Sequence, residues 1–183
     1  MTTDPKEEIV THLGAMRAFA MSLTRNSALA DDIVQDALVK AWTNIGSFQA
    51  GTNMRAWLFT ILRNTYYSHH RKRKREVEDT EGELSAGLAQ KPDHDGRLQM
   101  RDFNAAFGLL PEEQREALVL VGAGGFSYEE AAETCGVAVG TIKSRVNRGR
   151  AKLVELMDIS DDEAMEATEA VTQGIVTMNQ SIA

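Results

Sequence analysis

"FSYEEAAETCGVAVGTIKSRVNRGRAKL", residues 126–153, is the stretch on which the fold turns. Ser127 followed three residues later by Glu130 fits a capping box at the start of a helix, and the small Ala131 and Ala132 leave room for a second helix to approach. Gly136 supplies a sharp turn, Val137 and Val139 fill the angle, and a new helix opens near Thr141. On that helix Ile142, Val146 and Leu153 face inward, leaving Lys143, Ser144, Arg145, Asn147, Arg148, Arg150 and Lys152 mostly to solvent. The spacing predicts a helix-turn-helix. A base-rich helix without acids, carrying Thr141, Ser144 and Asn147, can neutralise phosphates and hydrogen-bond base edges. Taken alone, the same stretch also suits an ordinary helical hairpin with one solvated face.

Upstream, the apolar spacing predicts helices throughout and no strand. In "EEIVTHLGAMRAFAMSLTRN", Ile9, Leu13, Met16, Phe19, Ala20 and Leu23 recur at intervals of three and four, which predicts one helix. Asn26 or Ser27 can cap a second, with Ile33, Val34, Ala37, Leu38, Ala41 and Trp42 on its apolar side. After a loop at "NIGSFQAGT", Thr52 or Asn53 can cap a third helix, "MRAWLFTILRNTYYSHHRKRKRE", apolar in its first half and strongly basic in its second. "RLQMRDFNAAFGLL" and "PEEQREALVLV" are two further helical segments, with Pro111 suited to a first helical position.

The chain has 183 residues and a formal net charge of -7, but the charge is segregated. Residues 76–96 hold seven acids against the single base Lys91, and residues 158–183 hold six acids and no base. What remains is weakly basic, a pattern that concerns partners rather than fold. The segment 76–96, with three glycines and Pro92, reads as a flexible linker. The expected layout is all-α: two small helical domains at 1–76 and 97–157, an acidic linker at 77–96 and an acidic tail at 158–183.

Several function classes are not expected. No apolar run approaches the roughly 18 residues of a membrane span, and "MTTDPKEEIV" lacks the layout of a signal peptide. The single Cys135 and four scattered histidines give no zinc spacing, and a cytoplasmic protein without cofactor, metal or small-molecule substrate is expected. There is no nucleophile beside a base and no phosphate loop, so no enzyme is expected. A second nucleic-acid face is predicted instead. On the third helix Trp57, Phe59, Tyr66 and Tyr67 precede His69, His70 and the run Arg71 to Arg75, and rings near a cationic face suit single-stranded or distorted DNA. For Trp57, Phe59 and Leu62 a core position is the stronger reading, and Asn64, Tyr66 and Tyr67 stand evenly between the two.

"ADDIVQDALVKAW", "GTNMRAWLFTILRN" and "LPEEQREALVLVGAGGFSYEEAAETCGVAVGTIKSRVNRGRAKL" together resemble, in order and spacing, an extracytoplasmic-function sigma factor of bacterial RNA polymerase. The wording is most similar to the general-stress-response branch of alphaproteobacteria. The resemblance implies a sigma-2 domain over residues 10–76 and a sigma-4 domain over 97–157. It implies that Asp32, Gln35, Asp36, Lys40 and Trp42 dock on core RNA polymerase. It also implies that the element from Phe48 to Arg75 melts and reads the promoter −10 region, with Asn64, Tyr66, Tyr67, Arg71, Arg73 and Arg75 as contacts. The helix from Thr141 would read the −35 element through Lys143, Ser144, Arg145, Asn147 and Arg148. A small anti-sigma factor is the further partner implied. Two other classes stay in view. A sigma-like mimic would sequester the anti-sigma factor without binding promoters, but would have no need of two basic readers and would continue into a receiver domain. A simple helix-turn-helix repressor would leave the first 76 residues unexplained.

Overall fold

The computed structural model describes residues 5–49, 51–79 and 95–158, with the side chains of 77–79 and 95–101 excepted. The chain divides into two compact units, Met1–Ala89 and Gln90–Ala183. All regular structure among the described residues is helical.

The first unit contains α1 (Pro5–Thr11), α2 (Leu13–Thr24), α3 (Ser27–Thr43), a 3₁₀ turn (Ile45–Ser47) and α4 (Met54–Asp79). Its core is one apolar stripe from each helix: Ile9 of α1, Met16, Phe19 and Leu23 of α2, Ile33, Ala37 and Ala41 of α3, and Met54, Leu58, Phe59 and Leu62 of α4. The rings of Phe19 and Phe59 meet at 5.2 Å between centroids. The single helix expected over 7–26 is broken at His12, whose amide donates to Ile9 O at 3.1 Å, while Met16 N donates to His12 O at 2.9 Å. Asn26 caps α3 by accepting from Leu29 N at 2.9 Å, and Asn53, not Thr52, caps α4 by accepting from Ala56 N at 3.1 Å. Both caps quench a backbone amide that the helix itself leaves unpaired.

The second unit contains α5 (Asp95–Gly108), α6 (Glu112–Leu118), a π turn (Val119–Ala123), α7 (Tyr128–Cys135) and α8 (Val139–Leu156). Pro111 precedes α6 as its extended N-cap rather than occupying its first turn. Arg115 donates to Gly108 O and Leu110 O, at 3.1 and 3.0 Å, and so ties the end of α5 to α6. Phe103, Phe107, Leu118, Leu120, Phe126, Ala131, Cys135, Ile142, Val146 and Leu153 are buried together in this unit.

The helices take in both ends of the expected linker, since α4 continues to Asp79 and α5 opens at Asp95. The rest of the linker and the acidic tail beyond Asp158 lie outside the described residues.

Candidate nucleic-acid interface

In the second unit the turn geometry follows the predicted chemistry closely. Ser127 N donates to Glu130 Oε2 at 2.8 Å and Glu130 N donates to Ser127 Oγ at 3.1 Å, the reciprocal bonds of a capping box. Gly136 ends α7 in the left-handed region at φ 66°, where a residue without Cβ is favoured, and Val137 N donates back to Ala132 O at 3.0 Å. The next helix opens at Val139, two residues before Thr141, from Ala138 in extended conformation.

On α8 the buried residues are Ile142, Val146, Gly149 and Leu153, again at intervals of three and four. Thr141, Lys143, Asn147 and Arg148 are exposed, and Ser144 and Arg145 are half-buried. The six residues expected to touch the −35 element therefore divide into an outer group of four and two nearer the core. Arg150, expected in solvent, is half-buried as well. The Lys143 ammonium lies 5.7 Å from the ring centroid of Tyr128, the first residue of α7. Tyr128 escapes sequence reasoning, because nothing local couples the start of one helix to the second turn of the next.

In the first unit, α4 divides into a packed half and a projecting half. Tyr66 is the last buried residue among its described side chains, and residues 71–76 are all exposed. Tyr66 is 5 % exposed, with its ring 5.1 Å from that of Tyr67 and 6.0 Å from that of His70. Of the two readings open for Tyr66, its burial supports the packing one, since a ring held in the core presents little face to a base. Tyr67 is half-buried under the Arg63 guanidinium, 4.6 Å from the ring centroid, and Asn64 is exposed. Helical spacing places Asn64, Tyr67, Arg71 and Arg75 along one stripe, and Arg75 Nε reaches Arg71 O at 3.4 Å. Arg73 projects from the opposite side, in line with His69. Phe59 and Leu62 are core, whereas Trp57 is half-buried against Phe48 of the preceding loop, with ring centroids 5.4 Å apart.

On α3, Asp32, Gln35, Asp36 and Lys40 are exposed, and Trp42, expected on the apolar side, is 51 % exposed with Lys6 5.3 Å above its ring. Val39, absent from the expected surface, is 65 % exposed between them. Its signal is present in the sequence, since Val39 falls outside the Ile33–Ala37–Ala41 stripe. Two of these polar residues are bonded within the unit. Lys40 Nζ donates to Thr65 Oγ1 at 3.1 Å, and the His69 ring nitrogen Nε2 is 2.7 Å from Asp36 Oδ2.

Among the described residues no helix is long and apolar enough to cross a membrane, and no cluster of three or more His, Cys, Asp or Glu side chains is arranged to hold a metal ion.

The class defined by these features is a bipartite helical protein with a separate basic face in each domain, one of them on a helix-turn-helix. Comparison with known proteins gives the family. Sigma-70 region 2 matches residues 9–76, and Sigma-70, region 4 matches residues 100–153. The chain is 52 % identical over 163 residues to the ECF RNA polymerase sigma factor EcfG of Rhodopseudomonas palustris, covering 89 % of this chain and 90 % of that one. It is 30 % identical to the ECF RNA polymerase sigma factor SigM of Bacillus subtilis, over 75 % of this chain and 85 % of the relative. Among solved structures, the sigma factor RpoE in complex with the anti-sigma factor NepR from Bartonella quintana matches with TM-score 0.77 and 51 % identity, covering 85 % of this chain and 97 % of that one. The anti-anti-sigma factor PhyR of the same organism matches at TM-score 0.51 and 18 % identity, a likeness of fold alone. The chain belongs to the ECF sigma factors of the sigma-70 family.

Proposed function

We infer that this protein is a promoter-specificity subunit that binds core RNA polymerase and directs transcription initiation in a general stress response, under the control of a small anti-sigma factor. The observation that carries the reading is the pairing of two distinct basic faces, on α8 and on the projecting half of α4, with a family match over both domains. In this reading α8 reads duplex −35 DNA through Thr141, Lys143, Asn147 and Arg148, with Ser144 and Arg145 beside the core-facing edge. The stripe Asn64–Tyr67–Arg71–Arg75 of α4 meets the −10 strand. The α3 surface with Asp32, Gln35, Asp36, Lys40 and Trp42 docks on the polymerase, with Val39 adding apolar area. The domain bounds 1–76 and 97–157, the linker and the tail are part of the same proposal, as are a cytoplasmic location and the lack of any enzymatic step of its own.

The anti-sigma partner is supported by the bound NepR of the Bartonella structure. Run-off transcription with core polymerase tests the main reading: promoter-dependent transcript is expected, and a sigma-like mimic would give none. Capture of the full chain on a NepR-type anti-sigma factor tests the branch. A folded chain that fails to bind it would remove the chain from stress-response control without touching its role in initiation.

A further inference from the structure

The apolar core stops supporting α4 at Tyr66, yet the helix runs on for about three and a half turns to Asp79. Those turns carry Tyr67, Arg71 and Arg75, so what aims them matters for any DNA they meet. Two contacts between α3 and α4 form a polar ladder along the seam of these antiparallel helices. Lys40 meets Thr65 at 3.1 Å, and one turn further along both helices His69 meets Asp36 at 2.7 Å. Thr65 lies within the packed half, whereas His69 lies beyond it. One more turn brings Asp32 and Arg73 to corresponding positions, both exposed, and among the described residues no bond joins them. The His69 rung is the last of the ladder.

A carboxylate only accepts, so His69 Nε2 is the donor and Asp36 keeps a second oxygen to offer elsewhere. Asp36 is about half-exposed, its side chain retaining 53 % of its accessible surface. One carboxylate on the polymerase-docking surface therefore also holds the DNA-reading helix. We propose that His69 is a positioning residue for promoter opening: through Asp36 it fixes the projecting half of α4 to α3, so that docking on the polymerase also aims the −10 reader. This rests on the functional reading above, in which α3 docks and α4 reads.

The test uses holoenzyme assembled from core polymerase and the full chain, with three measurements: core affinity, open-complex formation by permanganate reactivity of unpaired thymines, and the melting temperature of the free protein. Loss of a hydrogen bond of this kind predicts that His69→Ala slows open-complex formation about three- to tenfold at saturating core. Core affinity should stay within about twofold, and His69→Gln, which can still donate to Asp36, should restore most of the rate. At saturating core, His69→Ala added to Asp36→Ala should cost little more than Asp36→Ala alone, because both remove one rung. A wild-type rate in His69→Ala would overturn the proposal. So would an equal loss of core affinity or of folding, which would make the residue merely structural. A Gln variant as slow as Ala, or full additivity with Asp36→Ala, would assign His69 to direct DNA contact instead. Failure of the wild-type arm to open any promoter would sink the functional reading itself, a result distinct from all of these.

Discussion

Gly149 of α8 lies so close to Leu118 of α6 that a methyl group in place of its hydrogen would come within 2.8 Å of Leu118 Cδ1. The same methyl would meet Leu118 Cγ at 3.3 Å and Gln114 Cβ at 3.4 Å, and Leu118 is itself buried. Ala in a helix gains about 1 kcal/mol over Gly, whereas overfilling a packed contact costs about 1–3 kcal/mol. Gly149→Ala is therefore expected to be net destabilising by about 1 kcal/mol, and Gly149→Val by more, because Val adds volume with less helical gain. Denaturant unfolding of the full chain checks this; a stabilised alanine variant would show that α6 and α8 can separate at no cost.

Arg148 stands exposed on α8, while Arg145 is half-buried. Replacing Arg148 by Ala should weaken −35-dependent promoter binding by about 1–3 kcal/mol if it meets a base, and by less if it meets only a phosphate. Arg145→Ala should have an effect of the same sign. Core polymerase binding should survive both. Unchanged promoter affinity in both variants at moderate salt would disqualify α8 as the reader.

The basic run of α4 does not act as one unit if its faces differ. The pair Arg71→Ala/Arg75→Ala, on the stripe shared with Asn64 and Tyr67, should flatten the salt dependence of open-complex formation by roughly 0.7–0.9 in log–log slope for each phosphate left without its arginine. Arg73→Ala, on the side in line with His69, should change that slope less. Equal slopes for all three proteins would mean that neither face meets phosphate.

Burial holds His12 below the ordinary histidine pKa; Glu8 pulls it upward and Arg55 lowers it further. A histidine depressed in the folded state contributes stability above its unfolded pKa, near 6.5, and loses that contribution as the pH falls through the folded value. Between about pH 7.5 and pH 5 the wild type should lose more stability than His12→Gln, which cannot titrate there. Parallel stability curves for the two proteins would show that His12 protonates without consequence for the α1–α2 junction.

The helices and most of their inner faces are legible because burial imposes a three- and four-residue rhythm that survives in the sequence, as Ile142, Val146 and Leu153 show. The capping box and the left-handed Gly136 are legible because each is a local requirement of the backbone. The break at His12 is not, since the apolar rhythm from Ile9 to Met16 runs through it undisturbed. The end of α4 is hidden for the opposite reason: charged residues that look like a solvated linker continue a helix to Asp79. Trp42 and Tyr66 sit at the edges of their apolar stripes, where a few degrees of helix rotation decide between core and surface. The bond of Asp36 with His69 spans 33 positions and has no local signature at all.

Cys135 is the only thiol in the chain, and it is buried at the last residue of α7, against the turn that sets the angle of α8. A thiol-specific reagent can reach it only when that corner opens. The rate of labelling in the untreated protein is thus a clock for opening of the helix-turn-helix. Slower labelling in the presence of a −35 duplex than with a scrambled one would register DNA engagement as suppressed breathing of one corner, without a dye, a tag or a substitution anywhere on the DNA-facing surface.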